Sequence, residues 1–121
     1  MVNSSKKKSL LIHVPKGYTT HFSRPLYIHQ KIIAVSFILG AQRENLTGCA
    51  LIYEEIDKNW IFRGELKTRL TDFGYMWECP DLFEIDGQQI MTCCPQGVEQ
   101  KGYDYQNVYQ CGYFPVNFDL V

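Results

Sequence analysis

The sequence has almost no net charge and no long apolar run. In its 121 residues, 12 Lys and Arg side chains face 13 Asp and Glu side chains, which gives a formal charge of −1 and a pI near 6.3. A nucleic-acid-binding surface would require a basic face, and the lysines at 6–8 are expected to be a solvated end. The apolar stretch at 10–12 is too short for a signal-peptide core, and the one at 32–41 is too short to span a bilayer. We therefore expect a cytoplasmic protein without a nucleic-acid or membrane partner.

The cysteines do not form a pattern typical of disulfides or zinc. There are five, an odd number, and Cys93 and Cys94 are adjacent, whereas a disulfide framework has even numbers at open spacings. A zinc site built from Cys79, Cys93, Cys94 and Cys111 is not favoured, because there is no Cys-x-x-Cys pair and all three histidines lie far upstream. We predict reduced thiols that serve as small buried residues of strands, with no metal and no cofactor.

The chain has the pattern of strands and turns, without a helix. An apolar run at 49–53 and a loosely alternating run at 60–66 flank the polar segment 56–59, which predicts an antiparallel pair. The runs at 82–85 and 89–93 flank Asp86-Gly87, a strong hairpin signal. A further strand is predicted at 107–114. The order of apolar strand, polar loop and strand then recurs at about 40 to 50 residues, as in propeller blades.

One carboxylate stands between a tryptophan and a cysteine. In the segment 75–81, Glu78 follows Trp77 and precedes Cys79. A carboxyl beside apolar bulk loses hydration, which favours its protonated form and suits it to donate a proton near neutral pH. Glu78 is therefore a candidate general acid. The alternative is a surface glutamate or a structural hydrogen-bond acceptor.

Several motifs in order extend this signal to most of the chain. They are Trp-Glu-Cys-Pro-Asp at 77–81, Cys-Pro-Gln-Gly at 94–97, the segment 105–113, Leu-Gly-Ala-Gln at 39–42, and Pro-Lys-Gly-Tyr-Thr-Thr-His-Phe at 15–22. Together they closely resemble the catalytic domain of the β-fructofuranosidases of glycoside hydrolase family 32. The resemblance implies an all-β fold, a five-bladed β-propeller followed by a β-sandwich, and hydrolysis of sucrose or sucrose 6-phosphate with retention of configuration. It makes Glu78 the acid/base and Asp81 a substrate-binding or orienting neighbour.

The length of the chain limits what the resemblance implies. A propeller and a sandwich need several times 121 residues, so we expect about two blades of the propeller. Residues 1–14 would be an N-terminal tail and residues 15–121 a partial propeller domain, whose partners would include missing parts of the same enzyme. The family's nucleophilic aspartate lies in an Asn-Asp-Pro-Asn-Gly motif, and this sequence has no such motif.

The sequence departs most from the family after Phe22. The family has His-Phe-Arg-Asp-Pro, and its aspartate stabilises the transition state, whereas this chain has Ser23 and Arg24 in place of the arginine and aspartate. One thymine inserted before the codons CGA-GAC-CCC gives TCG-AGA-CCC, which encodes Ser-Arg-Pro. A frameshift that is compensated near Ser36 would therefore explain why 26–35 lacks the family pattern and need not encode a designed strand.

The resemblance leaves two classes of function open. One is a fragment of a retaining β-fructosidase, inactive alone, whose parent could also be a levanase or an inulinase. The other is a non-catalytic remnant that binds fructosides. The aromatic side chains at 60, 77, 103, 105, 109 and 113 could stack on sugars, although aromatic side chains in strands more often belong to the core.

Overall fold

The described part of the chain consists of strands and their connections. The computed structural model describes residues 13–24, 26–29 and 35–117. Its strands are β1 (Tyr18–Phe22), β2 (Leu26–His29), β3 (Val35–Arg43), β4 (Gly48–Ile56), β5 (Asn59–Glu65), β6 (Met76–Ile85), β7 (Gln88–Gln96) and β8 (Gly112–Pro115). Within these three ranges, there is no helix with the length and apolar character needed to cross a membrane. The all-β prediction is confirmed.

The strands form two antiparallel sheets. In the first sheet β1 and β2 both pair with β3, which pairs with β4, and β4 pairs with β5; in the second the order is β6-β7-β8. The segment 26–35, which under the frameshift hypothesis need not encode a designed strand, contributes β2 to the first sheet. Of the predicted tail at 1–14, only residues 13 and 14 lie inside the described ranges, and so the lysines at 6–8 and the apolar stretch at 10–12 lie outside them.

Both predicted hairpins are present. Asp57 and Lys58 connect β4 to β5 with φ angles of 50° and 63°, and Asp86 and Gly87 connect β6 to β7 with φ angles of 50° and 78°. Two consecutive residues with positive φ give the turn whose twist matches that of the flanking strands. The turns therefore form where local chemistry predicts them.

The strand predicted at 107–114 is shorter in the structure. β8 begins only at Gly112, where it pairs with β7, and residues 107–111 are not in a strand. Tyr105 has a φ of 59°, and Val108 and Tyr109 are 82% and 84% exposed. The residues before Gly112 have strand-forming composition, but strand structure also requires a paired neighbour, which they lack in the described part of the chain.

The two sheets meet around Trp77. Its side chain is 1% exposed, and it belongs to a core cluster that takes Ile38 and Ala50 from the first sheet and Met91 from the second. Its ring nitrogen donates a hydrogen bond to the Phe73 carbonyl oxygen at 2.8 Å, which satisfies the buried N–H. A second cluster, with Phe37, Leu39, Leu51 and Tyr53 among its members, lies within the first sheet. Trp77 is thus a core residue rather than a sugar-stacking one.

Candidate active site

Glu78 lies near the start of β6, directly opposite Cys94 of β7. Its side chain is 28% exposed. The residue before it, Trp77, points into the core between the sheets, while Glu78 stays in contact with solvent. The carboxyl is therefore held by a rigid strand and still accessible, as a proton donor to a bound substrate must be.

A β-bulge brings Asp81 to the same face as Glu78. Residues three apart on a regular strand point to opposite faces. Here, however, Glu78 pairs with Cys94 and Asp81 pairs with Thr92, so three steps along β6 match two steps along β7. Cys94 and Thr92 share a face of the sheet, and side chains directly opposite each other share a face as well. The side chains of Glu78 and Asp81 therefore lie on one face, with their Cα atoms about 7 Å apart along the strand.

The bulge is built from Cys79 and Pro80. Cys79 has a φ of 48°, a left-handed conformation that is rare for residues other than glycine. Pro80 has no N–H to leave unpaired, which suits a bulge, and its side chain is buried. Asp81 is exposed. The Glu-Cys-Pro-Asp sequence thus has a conformational role in addition to the chemical role of its acids.

His21 is the site residue that the sequence analysis did not identify. It lies on β1, and its Nε2 is 3.7 Å from Oε1 of Glu78. The imidazole is 46% exposed, so the contact is solvated. The only signal in the sequence was the position of His21 immediately before Phe22, in a motif of the family-like pattern. Its proximity to Glu78 depends on how the two sheets pack.

Ser23 and Arg24, which we expect to align with the family's Arg-Asp pair, lie two and three residues after His21. The backbone N–H of Ser23 donates to the Gly40 carbonyl oxygen at 2.9 Å, which attaches this segment to β3. Arg24 is exposed.

A partly buried ion pair supports the first sheet beside this region. Arg43 donates from Nε to Oε2 of Glu65 at 3.0 Å and from Nη2 to Oε1 of the same carboxylate. The guanidinium also donates to Thr47 and Gly48, and the Tyr18 hydroxyl donates to Glu65 at 3.1 Å. Burial, and secondarily the nearby Glu65 carboxylate, raises the pKa of Tyr18 to about 12. These bonds connect β1, β3 and β5.

The thiols are less buried than predicted. All five are free, and Cys49 and Cys93 are buried as expected, but Cys79 and Cys111 are exposed. The pKa of both buried thiols is raised to about 12, mainly by burial. The error arose because strand composition does not identify which residues occupy a bulge or stand just outside a strand. Within the described ranges, no group of three or more His, Cys, Asp or Glu side chains is arranged to hold a metal ion.

The tyrosines near the end of the chain are also exposed. Tyr103, Tyr109 and Tyr113 are 95%, 84% and 76% exposed. The core interpretation is therefore wrong for these three rings. Tyr105 is 39% exposed and contacts Phe73 edge to face with ring centroids 5.3 Å apart.

A cavity of about 590 Å³ lies between the loop that precedes β6 and the loop that follows β7. Its lining includes Arg69, Asp72, Glu99 and Lys101, as well as Tyr75 immediately before β6. The lining therefore combines two cations with two anions. Neither Glu78 nor Asp81 is part of it.

Known proteins resemble this chain in sequence and in fold. The model for the Glycosyl hydrolases family 32 N-terminal domain matches residues 2–121. The sucrose-6-phosphate hydrolase of Bacillus subtilis is 42% identical over 96% of this chain and 25% of its own length, and that of Staphylococcus xylosus is 40% identical over 93% and 23%.

Solved structures agree with the sequence relatives. A mutant of the Bombyx mori GH32 β-fructofuranosidase BmSUC1, in complex with sucrose, matches with a TM-score of 0.82 and 37% identity over 95% of this chain and 24% of its own. The sucrose-6-phosphate hydrolase from Lactobacillus gasseri matches with a TM-score of 0.75 and 33% identity over 86% and 22%. The chain spans about a quarter of the length of these relatives. It belongs to glycosyl hydrolase family 32, and its two sheets are blades of that family's β-propeller.

Proposed function

We propose that this chain carries the acid/base carboxyl, Glu78, of a retaining β-fructofuranosidase site for sucrose or sucrose 6-phosphate. The observation that carries the proposal is the bulge of β6, which presents Glu78 and Asp81 on one face with His21 against the first carboxylate. The names of the relatives support the substrate class, since sucrose-6-phosphate hydrolases and a sucrose complex are among them.

The chemistry assigned to Glu78 follows from the bond that is cleaved. In a retaining glycosidase, one carboxylate attacks the anomeric carbon and a second carboxyl, about 5 Å away, protonates the leaving oxygen. Glu78 would donate that proton to glucose or glucose 6-phosphate and then accept one from the water that releases fructose. Asp81, exposed on the same face, would bind a sugar hydroxyl and orient the substrate.

We infer that the chain is inactive by itself. No Asn-Asp-Pro-Asn-Gly motif supplies a nucleophile, and Arg24 stands where the family has its stabilising aspartate. Groups that act as a unit in catalysis do not compensate for one another, so a surviving acid/base gives little rate alone. Residues 15–121 would then be a partial propeller domain that requires further blades of the same enzyme.

Two assays test this proposal separately. The purified chain should release no glucose from sucrose or glucose 6-phosphate from sucrose 6-phosphate, with the Bacillus subtilis sucrose-6-phosphate hydrolase as the positive control. Release that disappears in Glu78→Gln would contradict the inactivity but support the acid/base role. Release that Glu78→Gln leaves intact would contradict both.

A chimera tests Glu78 even when the chain alone is inactive. Residues 37–117, where the family pattern is present, would replace the matching segment of the Bacillus subtilis enzyme. Loss of a general acid costs about 10²- to 10⁴-fold in rate, so Glu78→Gln in the chimera should lower kcat by that factor. Asp86→Asn, in the distant β6-β7 turn, is the matched control and should leave kcat unchanged. An equal effect of the two changes would refute the role of Glu78.

The exposed tyrosines favour a second candidate, binding of fructosides without turnover. Tyr103, Tyr109 and Tyr113 are all more than three-quarters exposed, and aromatic faces stack on sugar rings. Titration calorimetry with sucrose or fructose should then show saturable binding that Tyr109→Ala weakens. Absence of binding would leave only the enzyme fragment.

A further inference from the structure

Three reactive side chains lie near one another on the second sheet: Glu78, Cys94 and Cys111. Glu78 of β6 is directly opposite Cys94 of β7. Cys93 of β7 is opposite Gly112, the first residue of β8, and Cys94 and Cys111 are the two residues that adjoin this last pair, with Cys111 just outside the strand. Opposed side chains share a face of a sheet. Glu78 and Cys94 therefore lie on one face of the sheet, and Cys111 follows next to Cys94 at the start of β8.

The spacing of Cys94 and Cys111 suits a disulfide. A directly opposed pair such as Cys93 and Gly112 has Cα atoms about 4.5 to 5.5 Å apart, and Cys94 and Cys111 adjoin this pair, close to the range of about 4.4 to 6.8 Å that a disulfide spans. The two thiols interact, since Cys111 contributes to raising the pKa of the Cys94 thiol. Formation of the bond would need little backbone movement.

We propose that Cys94 and Cys111 form a thiol pair that a small disulfide such as glutathione disulfide oxidises reversibly to an intramolecular disulfide next to Glu78. The Cys111 thiolate attacks one sulfur of the reagent and releases one glutathione thiol. Cys94 then attacks the Cys111 sulfur of the mixed disulfide, which releases the second. The two cysteine protons pass to the two glutathione thiolates. This inference does not depend on the proposed function, because it concerns the thiols alone.

The environments of the thiols set the order of attack. Cys111 is exposed, whereas Cys94 is half-buried. Burial, followed by the interaction with Cys111, raises the pKa of the Cys94 thiol and disfavours its thiolate, so the reagent meets the exposed Cys111 first. Cys49 and Cys93 are buried, their pKa is raised to about 12, and they remain inert.

Cys79 is the competitor that the test must separate. It is exposed in the bulge next to Glu78, and it lies close enough to Cys94 to act on it electrostatically. Its position on β6 places it on the other side of Cys94 from Cys111. A disulfide of Cys94 with Cys79 would therefore join β6 to β7 rather than β7 to β8.

The experiment is oxidation of the whole chain with graded ratios of reduced to oxidised glutathione, followed by intact mass and a non-reducing peptide map. The expected product has lost two hydrogens, carries no glutathione, links Cys94 to Cys111, and reverts with a thiol reductant. Cys93→Ala should keep the link, which distinguishes Cys94 from its neighbour, and Cys79→Ser should keep it too. Cys111→Ser should stop at a glutathione adduct or remain unmodified. A link through Cys79 or Cys93, stable glutathione adducts on the unmutated chain, or no oxidation would each overturn the proposal.

Discussion

Gly40 of β3 and Trp77 of β6 approach each other backbone to backbone where the two sheets meet. A Cβ atom on Gly40 would lie 1.8 Å from the carbonyl oxygen of Trp77 and 2.6 Å from Oγ of Ser23. Only a residue without a Cβ allows this approach. The close contact holds the β6 backbone, and thus Glu78, against the strand that also fixes the segment of His21 and Ser23.

Gly40→Ala should therefore weaken the packing of the two sheets. Backbone atoms cannot yield as a flexible side chain can, and overpacking of this kind costs about 3 kcal/mol in the free energy of unfolding. Gly112→Ala is the matched control, because a Cβ at that strand position meets nothing within 4 Å, and it should change stability by less than about 0.5 kcal/mol. Denaturant unfolding monitored by the fluorescence of buried Trp77 measures both. Equal midpoints for the two variants would contradict this account.

The bulge can be tested at Cys79. Its φ of 48° disfavours side chains branched at Cβ, and its own side chain is exposed, so substitution loses little burial. Cys79→Val should destabilise the chain by about 1 to 2 kcal/mol, while Cys79→Gly, free of that strain, should be neutral or stabilising. Thermal unfolding of the two variants under the same conditions compares them. A valine variant as stable as the glycine variant would mean that the bulge is not held in this conformation.

The contribution of the Arg43–Glu65 pair to stability should depend on the planar, two-point geometry of the guanidinium. The side chains of Arg43 and Glu65 are 22% and 28% exposed, and Arg43 makes further bonds to Thr47 and Gly48. Arg43→Lys keeps the charge but loses the two-point geometry, which should cost about 1 to 2 kcal/mol in the free energy of unfolding. Arg63 pairs with Glu54 and is 45% exposed, so Arg63→Lys should cost less than about 0.5 kcal/mol. Urea unfolding of both variants shows whether Arg43→Lys lowers the free energy of unfolding more than Arg63→Lys does.

Stability should fall at alkaline pH. The pKa of Cys49 rises from 9.0 to about 12 and that of Tyr18 from 10.0 to about 12, in both cases mainly through burial and then through Glu65. The folded chain therefore holds these protons more tightly than the unfolded chain does. The contribution of these two groups to the free energy of unfolding is complete below about pH 9 and is lost as the pH rises towards 12. Unfolding free energies measured across this range should decline, and Cys49→Ala should reduce the slope. A flat profile would show that the groups are not buried in solution.

Local chemistry was sufficient to predict the hairpins and the main candidate. Asp86-Gly87 and the polar segment 56–59 indicated the two turns, because the positive φ angles in each turn depend on only two residues. Glu78 was proposed from its neighbours in sequence, and its role as the acid/base stays a prediction. The exposure of Cys111 and Tyr109 could not be predicted from the sequence, since strand composition looks the same whether or not a neighbouring strand is present to cover the side chain.

The sequence by itself determined the all-β class, the paired strands and the presence of a carboxylate in the Trp-Glu-Cys-Pro-Asp motif, all of which depend on residues close together in the chain. Only the tertiary structure decided that Asp81 shares a face with Glu78, that His21 lies 3.7 Å from Glu78, and that Cys94 and Cys111 adjoin the last pair of β7 and β8. The physical reason is that bulges, registers and sheet contacts are set by pairing between distant segments. Their outcome depends on which backbones can approach closely, as Gly40 and Trp77 do.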